Sequence, residues 1–247
     1  MLLSIVTISK DDPEGLLRTL RSIEAQCSRD CEVVVVASGT SALLDVADFQ
    51  LPRLVFLQQP SVGISAAFNE GLRAASGAWI NFLNGGDCFT DSSVLARIQP
   101  CLAGADAIVT ARARIPGTGI RIPRDSVFAR RDIELIAHQA SFFRRELFER
   151  HGRYAPEFRI RMDFEWMLRL PHQTPAVWLD DVIVDFEGGG VSTMRPLANS
   201  MEELRALRRH HRGMPRIAAL LALYMPVRAL RYMLRKLGWV AASRRNA

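Results

Sequence analysis

The stretch LLSIVTISKDDPEGLLRTLRSIEAQCSRDCEVVVVA, residues 2–37, changes its hydrophobic period twice. LLSIVTI is a short β-branched run, DPEGLLRTLRSIEA carries apolar residues at helical spacing, and CEVVVVA is almost unbrokenly apolar. Asp12 stands where a cap belongs, and Pro13 in the first turn, where its missing N–H costs nothing. The stretch predicts strand, helix, strand. A strand apolar at successive positions suits a parallel sheet buried on both faces.

The alternation continues along the chain. RLVFLQ (53–58) reads as strand, GISAAFNEGLRAA (63–75) as helix, GAWINFL (77–83) as strand, SSVLARIQPCL (92–102) as helix and ADAIVTA (105–111) as strand. The expected fold is α/β, a Rossmann-like, mostly parallel sheet flanked by helices and joined by right-handed crossovers. Ligands of such sheets sit beyond the carboxyl ends of the strands. Three of those ends are TISKDD, SGTS and NGGD. In NFLNGGDCF, residues 81–89, Asp87 follows Gly85 and Gly86, which let backbone approach a ligand closely.

Past residue 112 the pattern loosens. ARIPGTGIRIPRDS (113–126) predicts an irregular hairpin, and HQASFFRRELFERHG (138–152) a strand edge running into a helix ended by Gly152. RMDFEWMLRL (161–170) predicts a helix and AVWLDDVIVDFE (176–187) a final strand pair, followed by GGGVS (188–192).

The net charge of +6 divides unevenly: residues 1–203 hold 21 Lys+Arg and 26 Asp+Glu, whereas 204–247 hold 11 Lys+Arg and no acid. A nucleic-acid groove would run through the body with interleaved aromatics, so no nucleic-acid partner is expected. The boundary suggests a domain at 1–203, divided at 111, and a basic helical tail at 204–247. Ile217 to Val227 is uncharged, too short to span a bilayer as a helix, and is followed by Arg228, Arg231, Arg235 and Lys236. Residues 214–247 fit an amphipathic helix on an anionic membrane surface, or a helix packed on the body with its basic face solvated. Cys27, Cys31, Cys88 and Cys101 lack paired metal spacing and no secretory leader precedes the first strand, so reduced thiols in a cytosol are expected, with Cys27 and Cys31 as packing residues.

Five stretches, LSIVTISKDDPEGLLRTLRSI, QQPSVGISAAFNEGLRAASGAWINFLNGGD, HQASFFRRELFERHGRY, FRIRMDFEWMLRL and GGGVS, occur in the order found in family 2 glycosyltransferases of the GT-A fold. The chain resembles the branch of that family that builds bacterial polysaccharides, over roughly residues 2–193. The resemblance implies an inverting transfer of a sugar from a nucleotide diphosphate, with UDP-sugars foremost, to a glycan hydroxyl. It also implies Mg²⁺ or Mn²⁺ on Asp87, and Asp163 as the base. The acceptor would be a glycan, possibly polyprenyl-diphosphate-linked, and the enzyme cytoplasmic and peripheral at the inner face of the cytoplasmic membrane.

By the same resemblance, residues 1–111 are the nucleotide-sugar half and 112–203 the acceptor half. Thr7, Lys10, Ser38, Gly63, Asn69, Gly71, Asn84 and Gly86 border the nucleotide and donor sugar, and His138, Gln139 and Gly189 lie on the acceptor side. Arg73 could meet phosphate or be merely solvated. Helix-capping roles stay open for Asp87 and Asp163, with Glu165 as the reserve base. Two departures stand out: Ala37 and Ser38 replace acids that contact the base in relatives, and Gly85 and Gly86 replace an acid beside the metal ligand. A sugar nucleotidyltransferase lacks support, because TISKDDPEG stands in place of its glycine-rich loop. A non-catalytic sugar-nucleotide or glycan-binding descendant remains open.

Overall fold

The computed structural model describes residues 3–210 apart from 27, 29, 52, 60–62, 126–128, 130 and 189–194; beyond 210 it describes only Pro226, Leu230 and Met233. Gly189, and nearly all of the tail read as residues 214–247, therefore lie outside the described residues.

The elements run β1 (Leu3–Lys10), α1 (Pro13–Glu24), β2 (Cys31–Ser38), β3 (Leu54–Gln58), α2 (Ile64–Ala74), β4 (Trp79–Phe82), β5 (Cys88–Phe89), α3 (Val94–Gly104), β6 (Ile108–Ile115) and β7 (Ile120–Ile122). Then follow β8 (Ser141–Arg144), α4 (Arg145–His151), α5 (Met162–Arg169), β9 (Ala176–Asp185) and α6 (Pro196–Arg209). Among the described residues nine strands form one sheet, ordered β3-β2-β1-β4-β8-β6-β9-β5, with β7 on β6. The helix α6 runs without a break through the charge boundary at 203.

The strands β3, β2, β1 and β4 pair in parallel, as the alternation predicts. Successive side chains on them leave on opposite faces. Val6, Val34, Ile80 and Phe82 therefore join one core with Phe68 and Leu72 of α2, while Ile5, Val33, Val35 and Trp79 join the other with Leu16 and Leu20 of α1. Both faces are covered, which is why EVVVVA shows no polar alternation.

Beyond β4 the sheet is mixed. The strand β8, expected at an edge, lies inside the sheet, antiparallel to both β4 and β6. Its three buried residues, Ser141, Phe142 and Phe143, fit that place, and short length misled the reading. Where a strand pair is expected over 176–187, residues 176–185 form the single strand β9; its pairing with β6 is shifted between Thr110 and Arg112 and again before Ala113, which bends it. The antiparallel turn of β8 sets its start, and with it residues 138–140, beside the carboxyl end of β4.

Candidate active site

The first two strand ends are stitched together. Asp12 accepts the Gly15 N–H at 2.8 Å and caps α1, as the sequence suggests. Ser41, just past β2, hydrogen-bonds Ser9 at 2.9 Å and accepts the Asp12 N–H at 2.9 Å. The Asp11 carboxylate accepts the Thr40 N–H at 3.1 Å and fills the space over Gly39, where a β-carbon would stand 1.8 Å from Asp11 Oδ1. Lys10 is exposed and Ser38 half-buried at these ends. Thr7 is wholly buried inside β1, so Ser9 rather than Thr7 brings a hydroxyl to the rim.

The NGGD loop closes on itself, the Asp87 N–H donating to the Asn84 carbonyl at 3.0 Å. Thr19 of α1 holds it from behind. Its hydroxyl accepts the Gly86 N–H at 2.9 Å and donates to the Asp87 carbonyl at 2.8 Å. Gly85 packs on β1, where a β-carbon would lie 3.0 Å from Ser9. Gly86 has φ of +98°, and a β-carbon there would meet Glu187 Oε2 at 2.0 Å. The two glycines thus admit neighbouring side chains.

Asp87 is not an exposed rim residue; it is 3% exposed. Its Oδ1 accepts the Glu187 N–H at 3.1 Å. Its Oδ2 is buried without a hydrogen-bond donor in place, and Asn84 Oδ1 is likewise unsatisfied. Burial first, and then the charge of Glu187, push the carboxyl up to about 7, opposed by the Glu187 N–H and the nearby Gln139 amide, which favours the anion without a well-aligned hydrogen bond to Oδ2. Asp87 does not cap α3: the backbone cap there is Ser93, the Leu95 N–H donates to Gln26 Oε1 at 3.0 Å, and Asp91 Oδ1 accepts the Ser93 N–H at 2.8 Å just before the helix.

Asn81 of β4 anchors the acceptor-side segment, donating to the carbonyls of Gln139 and Ser141, both at 2.9 Å. His138 stacks on Phe82 at 4.7 Å and pairs with the Tyr154 hydroxyl at 2.7 Å. Burial holds His138 down at about 4 against the opposing influence of Asp163. The imidazole is neutral near pH 7. Asp163 also acts electrostatically on Tyr154, so Asp163, His138 and Tyr154 form one neighbourhood, and Gln139 links it to Asp87.

Asp163 is half-buried in the first turn of α5, where Oδ1 accepts the adjacent Phe164 N–H at 2.7 Å. The backbone cap of that helix is Arg161, so Asp163 lies inside it. The donors before it are met from α6: Glu202 accepts the N–H groups of Arg159, Ile160 and Arg161 at 3.1, 2.8 and 2.9 Å. Glu165 is fully buried, paired with Arg169 and 2.8 Å from His210, and is unavailable as a reserve base.

Three other candidates have structural duties. Asn69 donates to the Tyr154 carbonyl at 2.8 Å and accepts the Tyr154 N–H at 3.0 Å, so it braces the loop behind His138 instead of facing a donor. Gly71 lets α2 approach β1, a β-carbon there falling 2.3 Å from Val6 Cγ1. Arg73 pairs with Glu70. Gly63, at φ of +108°, opens α2 with free space around it. Thr19, Tyr154, Glu187 and Glu202 were missed by sequence reasoning. Only Thr19 left a trace, as a lone hydroxyl on the apolar face of α1.

Residues 4–179 match the model of the family described as Glycosyl transferase family 2. The chain belongs to glycosyltransferase family 2. The transferase is 28% identical over 226 residues to an uncharacterized glycosyltransferase of Mycobacterium tuberculosis, covering 86% of this chain and 85% of that one. It is 29% identical over 188 residues to a PGL/p-HBAD biosynthesis glycosyltransferase of Mycobacterium bovis, covering 70% and 72%. In structure it is similar to Staphylococcus aureus TarS 1–349 (TM-score 0.69, 13% identity, 99% of this chain and 76% of that chain). The mannosyltransferase PcManGT of Pyrobaculum calidifontis, solved with GDP-Man and Mn²⁺, gives a TM-score of 0.69 at 19% identity over 97% and 81%. These two likenesses establish the GT-A fold of the transferase.

Proposed function

We propose that this transferase moves a sugar from a nucleotide diphosphate to a hydroxyl of a glycan acceptor by a single inverting displacement, as a metal-dependent step in bacterial cell-surface polysaccharide synthesis. The observation that carries the reading is the buried, unpaired Oδ2 of Asp87 in the loop that follows β4, the strand whose Asn81 holds residues 139 and 141. Support comes from solved neighbours holding UDP-GlcNAc in TarS and GDP-Man with Mn²⁺ in PcManGT. A UDP-sugar is our choice of donor, lying over the ends of β1, β2 and β4, with Lys10, Ser38, Gly63, Asn84 and Gly86 at its border.

The site fits Mg²⁺ or Mn²⁺. Asp87 Oδ2 is buried without a partner, and a hard cation takes carboxylate and diphosphate oxygens together. A bound divalent ion would supply charge neutralisation for the departing diphosphate. Asp163 takes the proton from the acceptor hydroxyl as its oxygen bonds to the anomeric carbon and the bond to the diphosphate breaks on the opposite face. The neutral His138, fixed between Phe82 and Tyr154, shapes the wall next to that base. The glycan is lipid-linked in this reading, and residues 214–247 are its proposed attachment to the inner face of the cytoplasmic membrane, supported by their basic charge.

The test is transfer from a panel of UDP- and GDP-sugars with and without Mn²⁺. Asp163→Asn retains donor affinity and loses about 10² to 10⁴ in turnover, the scale of general-base loss. Near-native turnover in that variant removes Asp163 from the mechanism, and donor binding without transfer to any acceptor favours the non-catalytic reading.

A further inference from the structure

A carboxylate from a distant part of the chain arrives over Gly86, the neighbour of Asp87. Glu187 follows β9, and its Oε2 occupies the space a β-carbon of residue 86 would need, at 2.0 Å. The same residue donates its N–H to Asp87 Oδ1 at 3.1 Å, so its backbone and side chain both border the Asp87 loop. Like charges brought together around a buried group repel, and a cation between them relieves the repulsion. Arg18 stands 2.6 Å from Glu187 Oε1. Asp87 Oδ2 is buried with no donor.

We propose that Glu187 is a second protein ligand of the divalent cation, joining Asp87 across Gly86, and that Arg18 parks the Glu187 carboxylate when no ion is bound. This rests on the assignment of Asp87 above. A divalent ion prefers hard carboxylate oxygens and completes its shell from diphosphate and water, so two protein carboxylates suffice. Glu187 and Arg18 are each about half exposed, at 48% and 49% of their side chains, which leaves the arm free to change partners. Gly86 is then required twice over, for its positive φ and for the room it leaves.

Mn²⁺ binding by the full chain, followed by the electron paramagnetic resonance of the free ion with UDP or GDP present, tests this without any turnover. Glu187→Gln lowers Mn²⁺ affinity by about tenfold, as loss of a metal-site partner does. Arg18→Ala, which breaks the same ion pair from its other end, binds Mn²⁺ as tightly as the parent or tighter, because Glu187 is released. Equal losses in the two variants, at unchanged melting temperature, would mean that the ion pair is merely structural and overturn the proposal. Unchanged affinity in Glu187→Gln overturns it as well. Asp87→Asn separates the layers: if it binds Mn²⁺ normally, the assignment of Asp87 fails, whereas loss there with no loss in Glu187→Gln defeats only the role of Glu187.

Discussion

The Nε2 atom of His138 and the hydroxyl of Tyr154 lie 2.7 Å apart in a fully enclosed aromatic cluster, whose burial disfavours a charged imidazole. His138 holds its proton less well folded, at about 4, than at its ordinary value of 6.5. Between those values the unfolded chain binds a proton that the folded chain refuses, so stability falls as pH drops from about 6.5 to 4 and loses nothing further below. The loss is up to roughly 3 kcal/mol at 1.36 kcal/mol per unit. Urea unfolding at pH 7 and pH 4.5 should show the advantage of the parent over His138→Phe shrinking on acidification; a constant difference contradicts the buried neutral imidazole.

Asn69→Ala should damage the fold rather than the donor site. Both amide atoms are engaged with the Tyr154 backbone. Truncation leaves those groups short of partners, at a cost of about 1–3 kcal/mol. The expected result is a lower melting temperature with calorimetric donor affinity unchanged; a selective loss of donor affinity would return Asn69 to the nucleotide side.

The helix that carries Asp163 is held by α6, and substitutions there should act through stability. Glu202→Ala strips the partner from three N–H groups at the start of α5, costing about 1–2 kcal/mol on the scale of a lost cap. Glu165→Ala leaves the Arg169 charge without its buried partner, and costs about 3–5 kcal/mol. Denaturant titration of both variants measures the losses. Glu165→Ala that stays fully stable but inactive would reinstate it as the base.

Residues 204–247 carry 11 Lys+Arg and no acid, and no described helix is long and apolar enough to cross a membrane. The full chain should float with anionic vesicles, less with neutral ones, and less as salt rises, since screening acts within about 8 Å at physiological ionic strength. Replacing Arg228, Arg231, Arg235 and Lys236 by glutamine weakens attachment by roughly 1 kcal/mol per charge. Salt-independent flotation, or none, rejects the membrane role.

The first half of the fold was legible because period and burial agree there: strands buried on both faces read as apolar runs, and helices between them as 3.6-residue patterns. The strand β8 was placed at an edge because four residues, SFFR, carry too little pattern to reveal two neighbours. Asp87 and Asp163 are singled out as candidates only by ordered motifs, since nothing in a lone carboxylate announces burial. Although the sequence lacks acids at residues 37, 38 and 86, carboxylates do stand near the ends of β2 and β4, Asp11 over Gly39 and Glu187 over Gly86. A linear reading misses them because the carboxylates arrive from other strands' ends.

A side chain at residue 86 would meet only the far end of Glu187, a half-exposed arm that can swing aside, so the lasting bar there is the backbone φ of +98°, as φ of +59° is at residue 39. Substitution of either glycine is therefore expected to cost strain whatever stands opposite. Gly86→Ala should lose about the same stability with Glu187 present as with Glu187 shortened to alanine.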